Sequence, residues 1–293
     1  MASKVYFTKE ITPEKVVEMY KTLGVELPGK VACKVHSGEA GNTNFIRPEF
    51  WKPMVDYVNG TIVECNTAYP GQRITTAQHK KVIKDHGWDS LFNVDIMDAE
   101  GPDLEIEIPN GKKIKKNYLG KTITDYDSML VLIHFKGHGM GGYGGALKQL
   151  SIGCASTAGK SYIHSAGQTT DADIRRTFAT EQDDFLASMA DAAGSVVDMF
   201  NGKIAYVAVM ANMSVDCDCN GNPLPPEFED MGIAASLDPV ALDTAMIDIL
   251  KTHPNRKSNY LLDRINSRHG TYTIDCAAEL GYGTKEYELI NID

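Results

Sequence analysis

SMLVLIHFKGHGMGGYGGALKQLSIGCASTAGKSYIH, from Ser128 to His164, decides how the rest of the chain is read. Ser128–Ile133 is a continuous apolar stretch, the pattern of a strand buried on both faces of a parallel sheet. It delivers His134 at its C-terminal end. Seven glycines follow between Gly137 and Gly153, so the backbone there can turn sharply or come close to a ligand. In open α/β sheets ligands bind beyond the C-terminal ends of the strands. The segment is therefore both a core strand and the expected site.

Working outward, strands are expected at Lys4–Phe7, Lys30–Val35, Thr61–Cys65, Lys203–Met210 and Ile233–Ser236, with an edge strand at Glu286–Ile292. Helices are expected between them. Thr12 and Pro13 open one that runs to Leu23. Pro48 opens a second, Thr75–His86 is a third, and Glu181–Phe200 is a fourth. Asp238 and Pro239 cap a fifth that ends near Leu250, and Tyr260–Asn266 and Thr273–Leu280 follow. This alternation predicts an α/β fold with a largely parallel sheet flanked by helices. The exception is Leu104–Lys116, where alternating apolar residues flank Asn110-Gly111, the signature of a peripheral antiparallel β-hairpin. The chain reads as one α/β region over 1–293. Its two lobes, 1–165 and 181–293, are divided by the polar stretch Ser165–Thr180.

The 293 residues carry a formal net charge of -10. An acidic chain lacks the basic footprint that nucleic acids and anionic membranes require. Lys112, Lys113, Lys115 and Lys116 do cluster, and are read as the solvated end of the hairpin. The N-terminus has no apolar targeting segment, and the longest apolar run, Met129–Ile133, is too short to span a bilayer. A soluble protein of the cytoplasm is expected, with its six cysteines as free thiols.

Three groups of residues carry candidate chemistry. His134, His138 and His164 bracket Lys148. Neutral imidazoles ligate transition metals, and a lysine in a dry pocket serves as a nucleophile or Schiff-base former. Gly141, Gly144 and Gly145 are expected to bring the main chain against a cofactor. The second group follows the strand at 30–35: Lys34, His36, Glu39, Asn42 and Arg47 combine carboxylate, imidazole and cation, a set suited to an anionic substrate and to acid–base work. Asn66, Thr67 and Arg73, after the next strand, are expected to line the same cleft. The third group is Cys217 and Cys219 in Asp216-Cys217-Asp218-Cys219, two thiols able to grip a soft metal or to act as a redox pair. Asp238 and Asp243 are assigned to a helix cap and a helix surface. His79, His86, His253 and His269 are assigned to the surface. GCASTAGKS (Gly153–Ser161) is no phosphate-binding loop, since five residues rather than four separate its glycines and a helix-like segment precedes it.

Four stretches carry a resemblance along the whole chain: KVHSGEAGNTNFIRP (Lys34–Pro48), HFKGHGMGGYGGALKQLSIGCAS (His134–Ser156), DCDC (Asp216–Cys219) and SLDPVALD (Ser236–Asp243). Together they resemble the family called domain of unknown function 362, whose members are often described as uncharacterised iron–sulfur-centre proteins. Many members carry a ferredoxin-like insert after the position of His164. Here Ser165–Gln182 contains no cysteine, so an iron–sulfur cluster, which needs cysteine thiolates, is not expected. The pattern His138, then GGYGGALK ending at Lys148, then His164, is also similar to the catalytic segment of nickel-dependent lactate racemases. That resemblance implies Lys148 as the tether of a nickel pincer nucleotide, His164 as metal ligand, and His138 either as a proton-transfer residue or as a support behind the metal ligand; the resemblance does not identify the partner catalytic histidine, for which His36 is the candidate. Two readings result. One is a metal- or cofactor-dependent enzyme performing redox or isomerisation chemistry on a small anionic substrate. The other is a ligand-binding or redox-partner module that has lost its iron–sulfur insert, with an exposed apolar patch near 165–182.

Overall fold

A computed structural model describes residues 2–172, 179–226, 228–254 and 257–293. Twelve strands are formed: β1 (Ser3–Thr8), β2 (Val31–Lys34), β3 (Thr61–Glu64), β4 (Val94–Ile96), β5 (Leu104–Glu107), β6 (Lys116–Leu119), β7 (Ser128–His134), β8 (Lys136–His138), β9 (Gly142–Gly144), β10 (Ile204–Met210), β11 (Gly232–Ser236) and β12 (Tyr287–Asn291). The helices described are α1 (Pro13–Thr22), α2 (Pro48–Tyr57), α3 (Thr76–Asp85), α4 (Trp88–Leu91), α5 (Ala146–Cys154), α6 (Thr157–His164), α7 (Gln182–Phe200), α8 (Pro239–Thr252), α9 (Ser258–Ser267) and α10 (Tyr272–Glu279). None of them is long and apolar enough to cross a membrane.

Eight strands form one sheet in the order β12-β1-β11-β10-β7-β2-β3-β4. Only β11 runs antiparallel to its neighbours, so the fold is the expected α/β arrangement with a largely parallel sheet. β7 lies at its centre, every residue buried. Because side chains alternate across a strand, Met129, Val131 and Ile133 enter the apolar layer under α5, α7, α8 and α10. Leu130 and Leu132 enter the opposite layer with α1, α2 and Trp88. Residues 1–165 supply β1, β2, β3, β4 and β7, residues 181–293 supply β10, β11 and β12, and all eight share this sheet. Residues 173–178, within the expected lobe boundary, lie outside the described residues.

Local chemistry sets where the helices begin. Thr12 Oγ1 accepts from Lys15 N at 3.1 Å and Thr75 Oγ1 from Gln78 N at 3.3 Å. Ser156 Oγ accepts from Gly159 N at 3.1 Å. The Asp238 carboxylate accepts from Val240 N and Ala241 N at 2.8 and 2.9 Å. Each side chain satisfies main-chain donors that the first helical turn leaves unpaired.

The hairpin is present, but its turn differs from the expected one. β5 pairs with β6 from Leu104↔Leu119 to Glu107↔Lys116, so residues 108–115 form a longer loop in place of a two-residue Asn110-Gly111 turn. The reason is not local. Asp191 on α7 accepts from the N–H groups of Lys112, Lys113 and Ile114 at 2.5, 2.6 and 2.8 Å. A carboxylate on a neighbouring helix thus organises the loop. Lys112 pairs with Glu279, Lys113 with Asp184, and Lys116 on β6 with Glu105 and Glu107, while Lys115 donates to the Pro109 and Gly111 carbonyls. The Asp191→Ala variant leaves three N–H groups without their acceptor. It is expected to lower the unfolding free energy by about 2–4 kcal/mol, measured by urea denaturation; a change below about 1 kcal/mol would show that water replaces the carboxylate at no cost.

Candidate functional site

β2, β3, β7 and β10 run parallel. From β2 the chain moves outward to β3 and β4; β7 returns to the other side of β2 and β10 continues away. This reversal is the topological switch point at which an open sheet leaves a crevice. A cavity of about 470 Å³ opens there, lined by the ends of β2 and β3, by the segment from His138 that follows β7 and by the Asp216–Asn220 loop that follows β10.

Its floor is a buried charge cluster. Lys34 ends β2 and Glu64 ends the adjacent β3. Lys34 Nζ donates to Glu64 Oε2 at 2.8 Å and also to the carbonyl of Val35. Ser37 N and Oγ donate to Glu64 Oε1 at 2.7 and 2.9 Å, and Arg73 lies 3.4 Å from the same oxygen. Burial alone would push the Glu64 carboxyl up, but Lys34 and Arg73 outweigh it and hold the group well below the carboxylate range.

The far wall is built from the glycine-rich segment and the Asp216–Cys219 loop. Gly137 N donates to Ser214 O at 2.8 Å, and a Cβ on Gly137 would lie 2.2 Å from Val215 O. Only glycine lets the two segments pass this closely. Asp218 then locks them: its carboxylate accepts from His134 Nδ1 at 2.9 Å and Lys136 Nζ at 2.8 Å, while its carbonyl accepts from Glu39 N at 2.8 Å. Burial opposes ionisation of Asp218, yet His134 and Lys136 hold the carboxyl far down.

Around the cavity the histidines take distinct roles. His164 donates Nδ1–H to Lys160 O at 2.7 Å and stacks on Phe185, which leaves Nε2 with its lone pair. Burial is the main reason its pKa falls to about 4, and Lys148 and Lys160 add to the fall. His138 accepts the Gly141 N–H on Nδ1 at 2.8 Å, so its ring proton sits on Nε2. Burial and then Lys148 hold it neutral, well below the usual histidine value. His36 accepts the Gly38 N–H on Nδ1 at 3.1 Å, and burial followed by Arg73, Lys136 and Lys148 depresses it likewise. A ligand atom of His138, Cys217 Sγ and Cys219 Sγ all lie within 4.8 Å of one another, close enough for one soft cation. Cys217 Sγ accepts from Cys219 N at 3.3 Å and faces Lys148 Nζ at 3.9 Å. Burial would raise this thiol, but the Cys219 S–H and the ammoniums of Lys148 and Lys136 outweigh it, holding Cys217 well below an ordinary cysteine; Cys219, donating to it, is pushed up.

The family model for Domain of unknown function (DUF362) matches residues 31–248, most of the chain and all of this site. The chain belongs to the DUF362 family. No curated protein matches the sequence. Among solved structures it is similar in fold to the lactate racemase apoprotein from Thermoanaerobacterium thermosaccharolyticum, at 12% identity and a TM-score of 0.46, over 84% of this chain and 56% of that one. A protein from Thermotoga maritima is similar at 10% identity and a TM-score of 0.40, over 92% of this chain and 59% of that one. The DUF362 chain thus spans a little over half the length of either structure.

Not every expected site residue of this DUF362 protein reaches the cavity. Lys34, His36, His138, Lys148, His164, Cys217 and Cys219 line it, as do Thr67 and Arg73. His134, expected to bind metal, does not: Nδ1 is held by Asp218 and Nε2 by Ala211 O at 2.8 Å, so neither nitrogen is free. His164 is outside the group of converging metal-ligand atoms that contains His138. Gly141, Gly144 and Gly145 face protein rather than a cofactor. Gly141 serves His138, a Cβ on Gly144 would meet Lys136 at 3.2 Å, and one on Gly145 would meet Asp243 at 2.4 Å. Asp243 is itself no surface residue: buried, it accepts from Ala146 N, Leu147 N and the Tyr143 hydroxyl, closing the start of α5, and burial pushes its carboxyl up to about 6.

The substrate loop is likewise partly structural. Glu39 binds Tyr69, Gln72 N and Arg73. Asn42 caps its own turn through Asn44 N and Phe45 N. Arg47 is exposed over the Phe45 ring. Asn66 bonds His79 and Thr76; with His79 fully buried, the surface assignment for that histidine is corrected. Glu64, Gln149 and Lys160 line the cavity and were missed. The signal for the first was in view: a carboxylate ending one buried strand beside a lysine ending another requires a pair.

Alkylation tests the thiol assignment. Because Cys217 is depressed, its thiolate persists as pH falls, so iodoacetamide is expected to label Cys217 before the other five cysteines at pH 6.5. In Lys148→Met the labelling should require higher pH. Peptide mass mapping that finds uniform labelling, or no effect of Lys148→Met, would remove Lys148 as the thiolate's partner.

Proposed function

We propose that the cavity is the active site of a metal- or cofactor-dependent enzyme that performs redox or isomerisation chemistry on a small anionic substrate. The observation that carries this reading is the company kept by Lys148: an ammonium on the cavity wall beside the free Nε2 of His164, the Nε2–H of His138 and the Cys217 thiolate. These groups are not spent on holding the fold together. Lys34 and Arg73 are matched by Glu64 and Glu39, whereas Lys148 and Lys160 line the cavity with no carboxylate in ion-pair reach among the described residues, two cations that suit an anion.

The motif resemblance to nickel-dependent lactate racemases assigns Lys148 as tether and His164 as metal ligand, and their surroundings fit such a group. His164 has its second nitrogen oriented by a carbonyl, the usual support of a metal-binding imidazole. Lys148 has no carboxylate within ion-pair distance among the described residues. When bound, the metal supplies Lewis-acid or redox chemistry at the substrate. The chain's own residues do the rest: His138 offers a hydrogen bond from Nε2, neutral His36 exchanges a proton, and Lys34 and Arg73 hold negative charge. Cys217 and Cys219, with His138, form an alternative ligand set for a soft cation.

Elemental analysis and intact mass of protein purified from its native source test this proposal. Stoichiometric metal, or added mass that disappears in Lys148→Ala, is the expected result. Metal that survives Lys148→Ala but is lost from Cys217→Ser would assign the ligand set to the thiolates instead. Metal-free protein of unmodified mass would overturn the enzyme reading in favour of a ligand-binding module.

A further inference from the structure

One end of the cavity carries donors that nothing in the protein uses. Thr67 Oγ1 and Gln149 Nε2 are buried atoms without a hydrogen-bond partner, on residues only 3% and 6% exposed that line the cavity. Buried polar atoms are almost always paired, and an exception on a cavity wall marks a ligand contact or an ordered water. Lys160 lines the same cavity; its Nζ donates to Ala155 O at 2.5 Å and forms no ion pair among the described residues. An ammonium has three protons, so two remain, on a residue that is 6% exposed. A buried charge without a counter-ion is unfavourable unless something supplies one.

The packing brings these groups together. A Cβ on Gly153 would lie 2.9 Å from Gln149 Oε1 and 3.2 Å from Lys34 Nζ, so the amide and the Lys34 ammonium converge on one bare Cα. Thr157 Oγ1 donates to Thr67 O at 3.2 Å, fastening Thr67 to the first turn of the helix that bears Lys160. Three main-chain donors of that turn are already taken, Thr157 N by Asp98 at 3.1 Å, Gly159 N by Ser156 Oγ at 3.1 Å and Lys160 N by Ser156 O at 2.8 Å. What the protein leaves over is a set of side-chain donors: Thr67 and Gln149, the spare protons of Lys160, and the third proton of Lys34, whose other two go to Glu64 and the Val35 carbonyl.

Resting on the enzyme reading above, we infer that Lys160, Gln149, Thr67 and Lys34 form an oxyanion subsite, which takes the carboxylate or phosphate of the ligand while its reacting part lies towards Lys148 and Cys217. A cavity of about 470 Å³ is of the size that encloses ligands well beyond a three-carbon acid. The ligand class is therefore an extended molecule with an acid group at one end.

Inorganic phosphate and acetate, titrated separately into the metal-free recombinant protein and followed by thermal unfolding and calorimetry, test the subsite. Phosphate, acetate or both are expected to bind and raise the unfolding temperature, and the anion that binds identifies the acid group. Lys160→Met should weaken binding tenfold or more, as loss of a charge-assisted hydrogen bond does, while unfolding no earlier than wild type without the anion. Thr67→Val and Gln149→Leu, close in shape, should each weaken it several-fold, and they carry the test if Lys160→Met does not fold. Lys148→Met should weaken anion binding less than Lys160→Met does. Equal binding by wild type and all three subsite variants overturns the subsite, as does the absence of binding by either anion. Binding lost only in Lys148→Met would place the anion at the thiolate end and also overturn it. The enzyme reading fails separately, on metal content and intact mass, which these titrations do not measure.

Discussion

The buried Asp218 carboxylate is the contact on which the site depends. It accepts from His134 at the end of β7 and from Lys136 on β8, and its own carbonyl receives Glu39 N from the loop after β2. Two segments distant in sequence, His134–Lys136 and the loop at Glu39, are thus fixed to one residue. Removing it would leave a buried lysine without its counter-ion, the costly way to break such a pair. The flanking residues Cys217 and Cys219 are positioned as a by-product: with Asp218 turned inward to the locked segments, the thiols on either side face the cavity. The segment is a turn closed by Asn220 N donating to Cys217 O at 2.9 Å, which sets the Asp218 carboxylate against His134 and Lys136 while both thiols line the cavity.

Around that lock, charge is distributed in two regimes. Lys34, Arg73, Glu64 and Glu39 neutralise one another in a network with short hydrogen bonds, and Lys136 is matched by Asp218. Lys148 and Lys160 are different, one facing a thiol and the other a carbonyl. The matched charges hold the walls; burial, with Lys148 adding to it, keeps three imidazoles of the cavity neutral. His36, His138 and His164 are all depressed, chiefly by burial, with Lys148 contributing in each case. The cavity therefore presents lone pairs and N–H groups as neutral imidazoles at neutral pH, the forms that ligate metals and relay protons.

Much of the fold was legible because it is written in short-range patterns. Thr12-Pro13, Thr75 and Asp238-Pro239 announce helix starts, and the apolar runs of β7 and β10 announce buried parallel strands. Local cues misled where a distant residue intervened. Asn110-Gly111 promised a tight turn, but Asp191 on α7 pulled eight residues into a loop. In the site, residue types were the guide, and they identified Lys148, His138, His164, Cys217 and Cys219 as cavity residues. They misplaced His134 and the glycines because a type does not reveal a partner: His134 is consumed by Asp218 and Ala211, and Gly145 makes room for Asp243. Gln149 on α5 and Lys160 on α6 were hidden in two helices whose patterns give no sign of which face meets the cavity.

The closing of α5 by Asp243 has a consequence for how such a protein diversifies. A helix start left open offers main-chain N–H groups that no substitution can remove, and a scaffold built that way stays committed to anions. Here the protein's own carboxylate fills that position, so recognition is left to side chains on the cavity wall. Single substitutions at positions such as 67, 149 or 160 can therefore change what the cavity accepts while the sheet, the Asp218 lock and the helix starts stay as they are. Members of one family built on this plan can share a scaffold and differ in ligand, and the matched sequence alone is then a weak guide to what each of them binds.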